Sequence, residues 1–242
     1  MAEEVNPLIR ALEQYDVLSD EERDALRALP LRTRLLQKNE EIIREGDRPT
    51  HSCLLVAGFA ARTQNLEDGK RQITNLHAPG DFVDLHSLLL KRMDHNVIAF
   101  SDCEVAFIPH GALRELIDRH NHLSRLLWVT TLVDAAIDRA WITCLGRRPA
   151  IDHLAHFICE LFTRLKGRGL NDGNSILFGA TQVELGDILG MSTVHVNRTI
   201  QDLRKLGLID WEAGRVTIRD FDRLADRAGF DPAYLNQWVE PR

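Results

Sequence analysis

Asn197, Arg198 and Gln201, with His195 before them and Lys205 after, gather hydrogen-bonding side chains toward one side of a helix. A guanidinium can donate two hydrogen bonds to O6 and N7 of one guanine in the major groove. Val196, Ile200 and Leu203 recur at helical spacing on the other side and are expected to face inward. Val194 stands on the polar side. A solvated helix face is the bland account of such a pattern. The surrounding residues argue for a sharper one.

Ser192 can cap this helix at its start. Ahead of it, Thr181 and Glu184 have capping-box spacing, opening a helix with Val183, Leu185, Ile188 and Leu189 on its apolar side. Gly190 supplies the turn between the two helices, and Gly186 is a small residue where helices must cross closely. Beyond the pair, Leu208–Trp211, the turn Glu212-Ala213-Gly214 and Arg215–Ile218 read as a hairpin, with Arg215 placed to meet a phosphate. Two capped helices, a glycine turn and a hairpin form a winged helix-turn-helix, which presents its second helix to a DNA major groove.

The chain has 242 residues, 44% of them apolar and 27% charged, which is the composition of an ordinary soluble globular protein with one or two domains. Its net charge of −6 is unusual for a DNA binder, but the imbalance is local. Residues 1–30 hold eight acids against three arginines, whereas residues 181–207 balance three acids against Arg198, Arg204 and Lys205. DNA contact therefore has to depend on geometry and on two copies of the site. The acidic N-terminus lacks the form of a signal peptide and no stretch approaches membrane-spanning length, so a cytoplasmic protein without a membrane partner is expected. Cys53, Cys103, Cys144 and Cys159 form no CxxC pair and are expected to be reduced and buried. No nucleophile elbow, HExxH or phosphate loop is present, so an enzyme is not expected.

The predicted fold is α+β. Residues 1–30 read as a helical segment, with a capping box at Ser19–Glu22. Residues 31–110 carry short runs (34–37, 53–56, 59–64, 72–76, 97–100 and 104–108) between turn residues, the texture of an antiparallel β-roll or jelly roll. Residues 111–146 form a long helix, whose Leu123, Leu127, Thr130, Val133, Ile137 and Trp141 are expected to pair with a second subunit. Arg147-Arg148-Pro149 breaks that helix, and residues 147–242 form the DNA-binding domain.

Roll, long helix, hinge and winged helix-turn-helix in this order resemble the CRP/FNR family of bacterial transcription regulators. In the roll the resemblance rests on Arg44-Glu45-Gly46-Asp47, Val56-Ala57-Gly58, Glu67-Asp68-Gly69 and Ala78-Pro79-Gly80-Asp81-Phe82. In the DNA domain it rests on Thr181–Gly186, Leu189-Gly190-Met191-Ser192 and Val196-Asn197-Arg198. It implies a cyclic-nucleotide-binding-like roll, a homodimer on a palindromic operator, and RNA polymerase as a further partner. The family's guanine-reading arginine falls on Arg198. Thr193, His195 and Asn197 sit where family members contact bases or phosphates, and Thr181 and Ser192 would donate to phosphates as well as cap. The family commonly has a glutamate where this chain has Val194; valine cannot accept from cytosine N4 but can touch a thymine methyl.

The effector pocket departs from that pattern. In cyclic-nucleotide-binding members a Gly-Glu pair holds the ribose hydroxyl and an arginine pairs with the phosphate. Here these positions fall on Asp84, Leu85 and the neighbourhood of His95 and Asn96. Leucine accepts no hydrogen bond and Asp84 repels a phosphate, so control by cyclic AMP is not expected. An iron–sulfur cluster needs clustered cysteines, and residues 1–52 contain none. A haem needs an axial ligand facing a cavity. His77, His86 and His95 lie nearby, where histidine in a roll is more often hydrogen-bonded packing. The cofactor thus stays unknown. The alternatives are a cyclic-nucleotide- or haem-responsive regulator of this family, or a signalling module that does not bind DNA.

Overall fold

The computed structural model describes residues 6–242. Residues 1–5, part of the expected N-terminal helical segment, lie outside the described residues. The chain divides into two compact units.

In the first unit, Asn6 accepts from the Leu8 N–H and starts helix α1 (Pro7–Leu12). Helix α2 (Asp20–Arg27) carries the capping box expected at Ser19 and Glu22. Seven strands follow: β1 (Arg32–Leu36), β2 (Glu41–Ile43), β3 (His51–Ala57), β4 (Ala60–Asn65), β5 (Arg71–His77), β6 (Asn96–Ala99) and β7 (Cys103–Pro109). They form two antiparallel sheets, β1-β7-β3 and β2-β6-β4-β5. Leu36, Ile43, Leu55, Val83, Met93, Val97 and Val105 pack together in the roll core. Strand β2, not foreseen in the sequence, is short and bulged, pairing Glu41 with Ile98 but Ile43 with Val97.

The helical stretch after the roll is two helices. His110–Arg119 (α3) ends at His120, whose φ of −124° and ψ of 86° leave the helical region. Helix α4 then runs from Asn121 to Arg147. Pro149 caps helix α5 (Ala150–Gly167), as the arginine–proline break requires. The remaining elements are β8 (Ser175–Leu177), α6 (Gln182–Leu189), α7 (Thr193–Lys205), β9 (Ile209–Glu212), β10 (Arg215–Ile218) and α8 (Phe221–Ala228), with the sheet ordered β8-β10-β9.

The division inside α4 falls between Ala135 and Ala136. Residues Gln237–Arg242 belong to the first unit, because the Gln237 amide donates to Gln14 at 2.7 Å and the Arg242 N–H donates to Asp16 at 2.7 Å. Residues Leu66–Gln72 group with the second unit, where Arg71 pairs with Asp187 at 2.7 Å.

The face of α4 expected to meet a second subunit points into its own chain. Leu123, Leu127, Val133, Ile137 and Trp141 are buried, and Thr130 is half-buried with its hydroxyl spent on the Leu127 carbonyl. Trp141 donates its indole N–H to Glu160, a buried carboxylate on α5 that also takes the Tyr234 hydroxyl. Such fully paired polar contacts fix the register of two packed helices. The exposed apolar residues of α4 are Trp128, Leu132, Ile142 and Leu145.

Candidate nucleic-acid interface and the roll interior

The expected helix-turn-helix forms at the expected residues. Thr181 Oγ1 accepts from the Glu184 N–H at 3.2 Å while Glu184 Oε2 accepts from the Thr181 N–H at 2.8 Å. Gly190 closes α6 at φ 63°, the left-handed conformation that a Cβ disfavours. Ser192 Oγ accepts from the His195 N–H at 3.3 Å and starts α7. Val196, Ile200 and Leu203 are buried, as the periodicity requires. Thr193, Val194, Asn197, Arg198 and Lys205 are exposed, and His195 and Gln201 are partly so. Helix α7 therefore presents one polar face to solvent.

The wing is a tight hairpin. Arg215 pairs with Glu212 across a turn in which Ala213 (φ 49°) and Gly214 (φ 76°) both lie in the left-handed region. That twist matches the twist of two antiparallel strands.

Charge engagement separates the basic residues. Arg215 is bound to Asp172 at 2.9 Å, Arg204 to Glu212 at 2.9 Å, and Lys205 lies 3.6 Å from Asp202. No ion pair involves Arg198 among the described residues. Thr181 is less available than its expected phosphate role requires. Its hydroxyl proton goes to Glu184 Oε2 at 2.9 Å, and its N–H goes to the same oxygen, so both donors are occupied. Ser192 keeps its hydroxyl proton, because its oxygen acts as the cap acceptor.

In the roll, the four residues expected to line an effector pocket take separate roles. Asp84 is 1% exposed; it accepts from the Cys53 N–H at 2.6 Å and from the Ser87 hydroxyl at 3.2 Å. Burial outweighs those bonds and pushes its carboxyl up to about 7. Asp84 is thus a structural tie from the residue before a short 3₁₀ turn (Leu85–Leu88) to strand β3. Leu85 sits in that turn. Asn96 accepts from the Glu45 N–H at 2.9 Å and holds the Glu45-Gly46 turn. His95 is buried beside His86, with ring centroids 5.1 Å apart, and its Nδ1 lies 2.7 Å from Asp94 Oδ1. Burial, then the Arg62 charge, lower both imidazoles, His95 to about 4. Arg62 is itself neutralised by Asp134 at 2.7 Å. The sequence pattern places His86 and His95 near the pocket but not Asp94 with them, because only the folded loop brings its carboxylate against the His95 ring. Burial pushes the Cys53 thiol well up, Cys103 and Cys144 to about 11 and Cys159 to about 12, so all four stay protonated at neutral pH.

Comparison with known proteins places this architecture in a family. Residues 33–120 match the cyclic nucleotide-binding domain, and residues 152–227 match the Crp-like helix-turn-helix domain. The chain is 30% identical over 202 residues to the transcriptional activator protein FnrL of Cereibacter sphaeroides, spanning 82% of this chain and 81% of that protein. It is 29% identical over 213 residues to the transcriptional activator protein anr of Pseudomonas aeruginosa, spanning 88% of this chain and 86% of that one. The solved structure of FixK2 from Bradyrhizobium japonicum has the same fold, with a TM-score of 0.75 at 24% identity, covering 84% of this chain and all of that one. The chain belongs to the CRP/FNR family. It is a DNA-binding transcription regulator of that type. Among the described residues no helix is long and apolar enough to cross a membrane.

Proposed function

We propose that the protein acts in the cytoplasm as a symmetric homodimer on a palindromic operator, without control by cyclic AMP. Arg198, Asn197, Gln201 and Val194 meet base edges, while Thr193, His195, Ser192 and Lys205 meet bases or phosphates. The carrying observation is Arg198, an exposed arginine on the open face of α7 with no carboxylate partner among the described residues. Arg204, Lys205 and Arg215 each have one nearby. A guanidinium in that condition can donate to O6 and N7 of one guanine without first giving up a partner. Arg215 reaches a phosphate by exchanging Asp172 for it.

Dimerisation runs along the outer face of α4. Trp128, Leu132, Ala135, Arg139, Ile142 and Gly146 follow at alternating steps of four and three, the spacing of a coiled-coil seam. Two α7 helices then enter major grooves one helical turn apart, about 34–36 Å. Cyclic AMP independence is supported by Leu85, which offers no acceptor, and by Asp84, whose carboxyl is spent inside the roll. RNA polymerase is the partner through which operator occupancy changes transcription, with activation the role named for FnrL and anr.

The test is operator selection from random DNA followed by binding of Arg198→Ala. The variant is expected to lose about 1–3 kcal/mol and its preference at one base pair per half-site. Unchanged affinity and preference would remove Arg198 from the interface. Micromolar binding of cyclic AMP by titration calorimetry would overturn the effector reading.

A further inference from the structure

His86, Asp94 and His95 converge from two segments of the roll loop. His86 rides on the 3₁₀ turn Leu85–Leu88, and Asp94-His95 immediately precede strand β6. Each offers a donor atom, and the three atoms lie within 4.8 Å of one another. Nε2 of His86 and Nε2 of His95 are both buried without a hydrogen-bond partner among the described residues. Buried nitrogen without a partner is rare in folded proteins, and two in one cluster offer the lone pairs that a metal ion takes. We propose that His86, Asp94 and His95 form a binding site for a divalent first-row transition-metal ion within the sensory roll.

The donor chemistry selects the class of ion. Two imidazoles and one carboxylate suit zinc or ferrous iron, whereas calcium and magnesium prefer oxygen-only sets. Zinc–ligand bonds are about 2.0–2.2 Å, so an ion draws the three donors closer than their present spread, by side-chain rotation. Asp94 already lies against the His95 ring at 2.7 Å, and its carboxylate supplies negative charge near the neutral imidazoles. Its side chain is 79% exposed, so the ion has a route in from solvent. Arg62, the nearby cation, does not oppose the ion at full charge, because Asp134 pairs with it and also accepts from Asn75 at 2.9 Å. Three protein donors leave a coordination position open to water.

The probes are Zn²⁺ and Co²⁺ added to the full, tag-free chain after chelation. Equilibrium dialysis measures stoichiometry, and the visible bands of Co²⁺ report the ligand field. One ion per chain is expected, with a rise in melting temperature on adding Zn²⁺. His86→Asn, at a half-buried position, is expected to weaken binding at least tenfold and abolish the Co²⁺ bands. Asp94→Asn, at a mostly exposed position, is expected to weaken binding about 10- to 100-fold. Circular dichroism on both variants establishes that the loss is local. Absence of stoichiometric binding by the wild-type chain, or equal binding by wild type and both variants, would overturn the site.

Discussion

The carbonyl oxygen of Met191 lies where a side chain at Gly186 would begin: a Cβ built on Gly186 would meet it at 2.5 Å. The Met191 N–H donates in return to the Gly186 carbonyl at 3.1 Å. Backbone meets backbone here, so nothing can rotate away. Gly186 is therefore required by the turn between α6 and α7; close crossing of two helices, the reason read from sequence, is the lesser part. Gly186→Ala is expected to destabilise the chain by about 1–3 kcal/mol, as overpacking does. Denaturant unfolding measures this, and operator affinity should fall with it because the turn sets how α7 is presented. A variant as stable as wild type would show that the turn can shift at no cost.

Val194 is 81% exposed at the start of α7, where an aliphatic side chain gains nothing from water. A contact with the C5-methyl of thymine gives it a role. Val194→Glu is expected to exchange thymine for cytosine preference at one position per half-site, worth about 1–3 kcal/mol, since a carboxylate accepts from cytosine N4. Selection from random DNA with both proteins measures the exchange. Identical selected motifs would mean that residue 194 does not reach the bases.

The DNA-binding motif was readable in the sequence because its signals are local. A cap and its partner lie three residues apart at Thr181 and Glu184, and the left-handed turn is marked by Gly190 itself. The direction of helix α4 was not readable, for a physical reason. Leu123, Leu126, Leu127, Trp128, Leu132 and Val133 make it apolar on more than one side. Periodicity identifies an apolar face but not which neighbour covers it. That depends on where other elements lie, as with Glu160 of α5 receiving the Trp141 indole. The 3.5-residue spacing from Trp128 to Gly146 was the available signal, hidden by the stronger inward stripe. In the roll, His86 and His95 were legible as neighbours of one pocket, but their ring contact was not, because the folded loop makes it. Thr181 shows the reverse limit: the motif was read correctly, yet its hydroxyl is committed to Glu184.

The outward and inward residues of α4 should separate in solution. Leu132 is 54% exposed, whereas Ile137 is 3% exposed. Leu132→Glu places a charge on the proposed seam, and at micromolar concentration its mass by light scattering is expected to halve, with operator affinity dropping at least tenfold. Ile137→Val is expected to cost about 0.5–1.5 kcal/mol of stability with the mass unchanged. Were Ile137→Val to dissociate the dimer and Leu132→Glu not, the seam would lie on the originally expected face.

Asp84 makes the stability of the roll depend on pH in an unusual direction. Its carboxyl is pushed up to about 7 by burial, from an ordinary value of 3.8. A raised carboxyl favours folding while protonated, so its contribution is complete below about pH 4 and is lost as pH rises through 7. The buried neutral histidines act oppositely: His153 and His156 are lowered to about 4, chiefly by burial, so their protonation in the unfolded chain weakens folding as pH falls below about 6.5. Wild-type pH curves mix the two, and a substitution isolates one. Asp84→Asn keeps an oxygen to accept from the Cys53 N–H and removes the ionisation. It is expected to stabilise the protein by roughly 1–4 kcal/mol at pH 8, with the gain shrinking toward pH 4. Urea unfolding of both proteins across that range measures the difference. A gap that does not change with pH would mean that Asp84 is ionised throughout, held by the Cys53 and Ser87 hydrogen bonds against the cost of its burial.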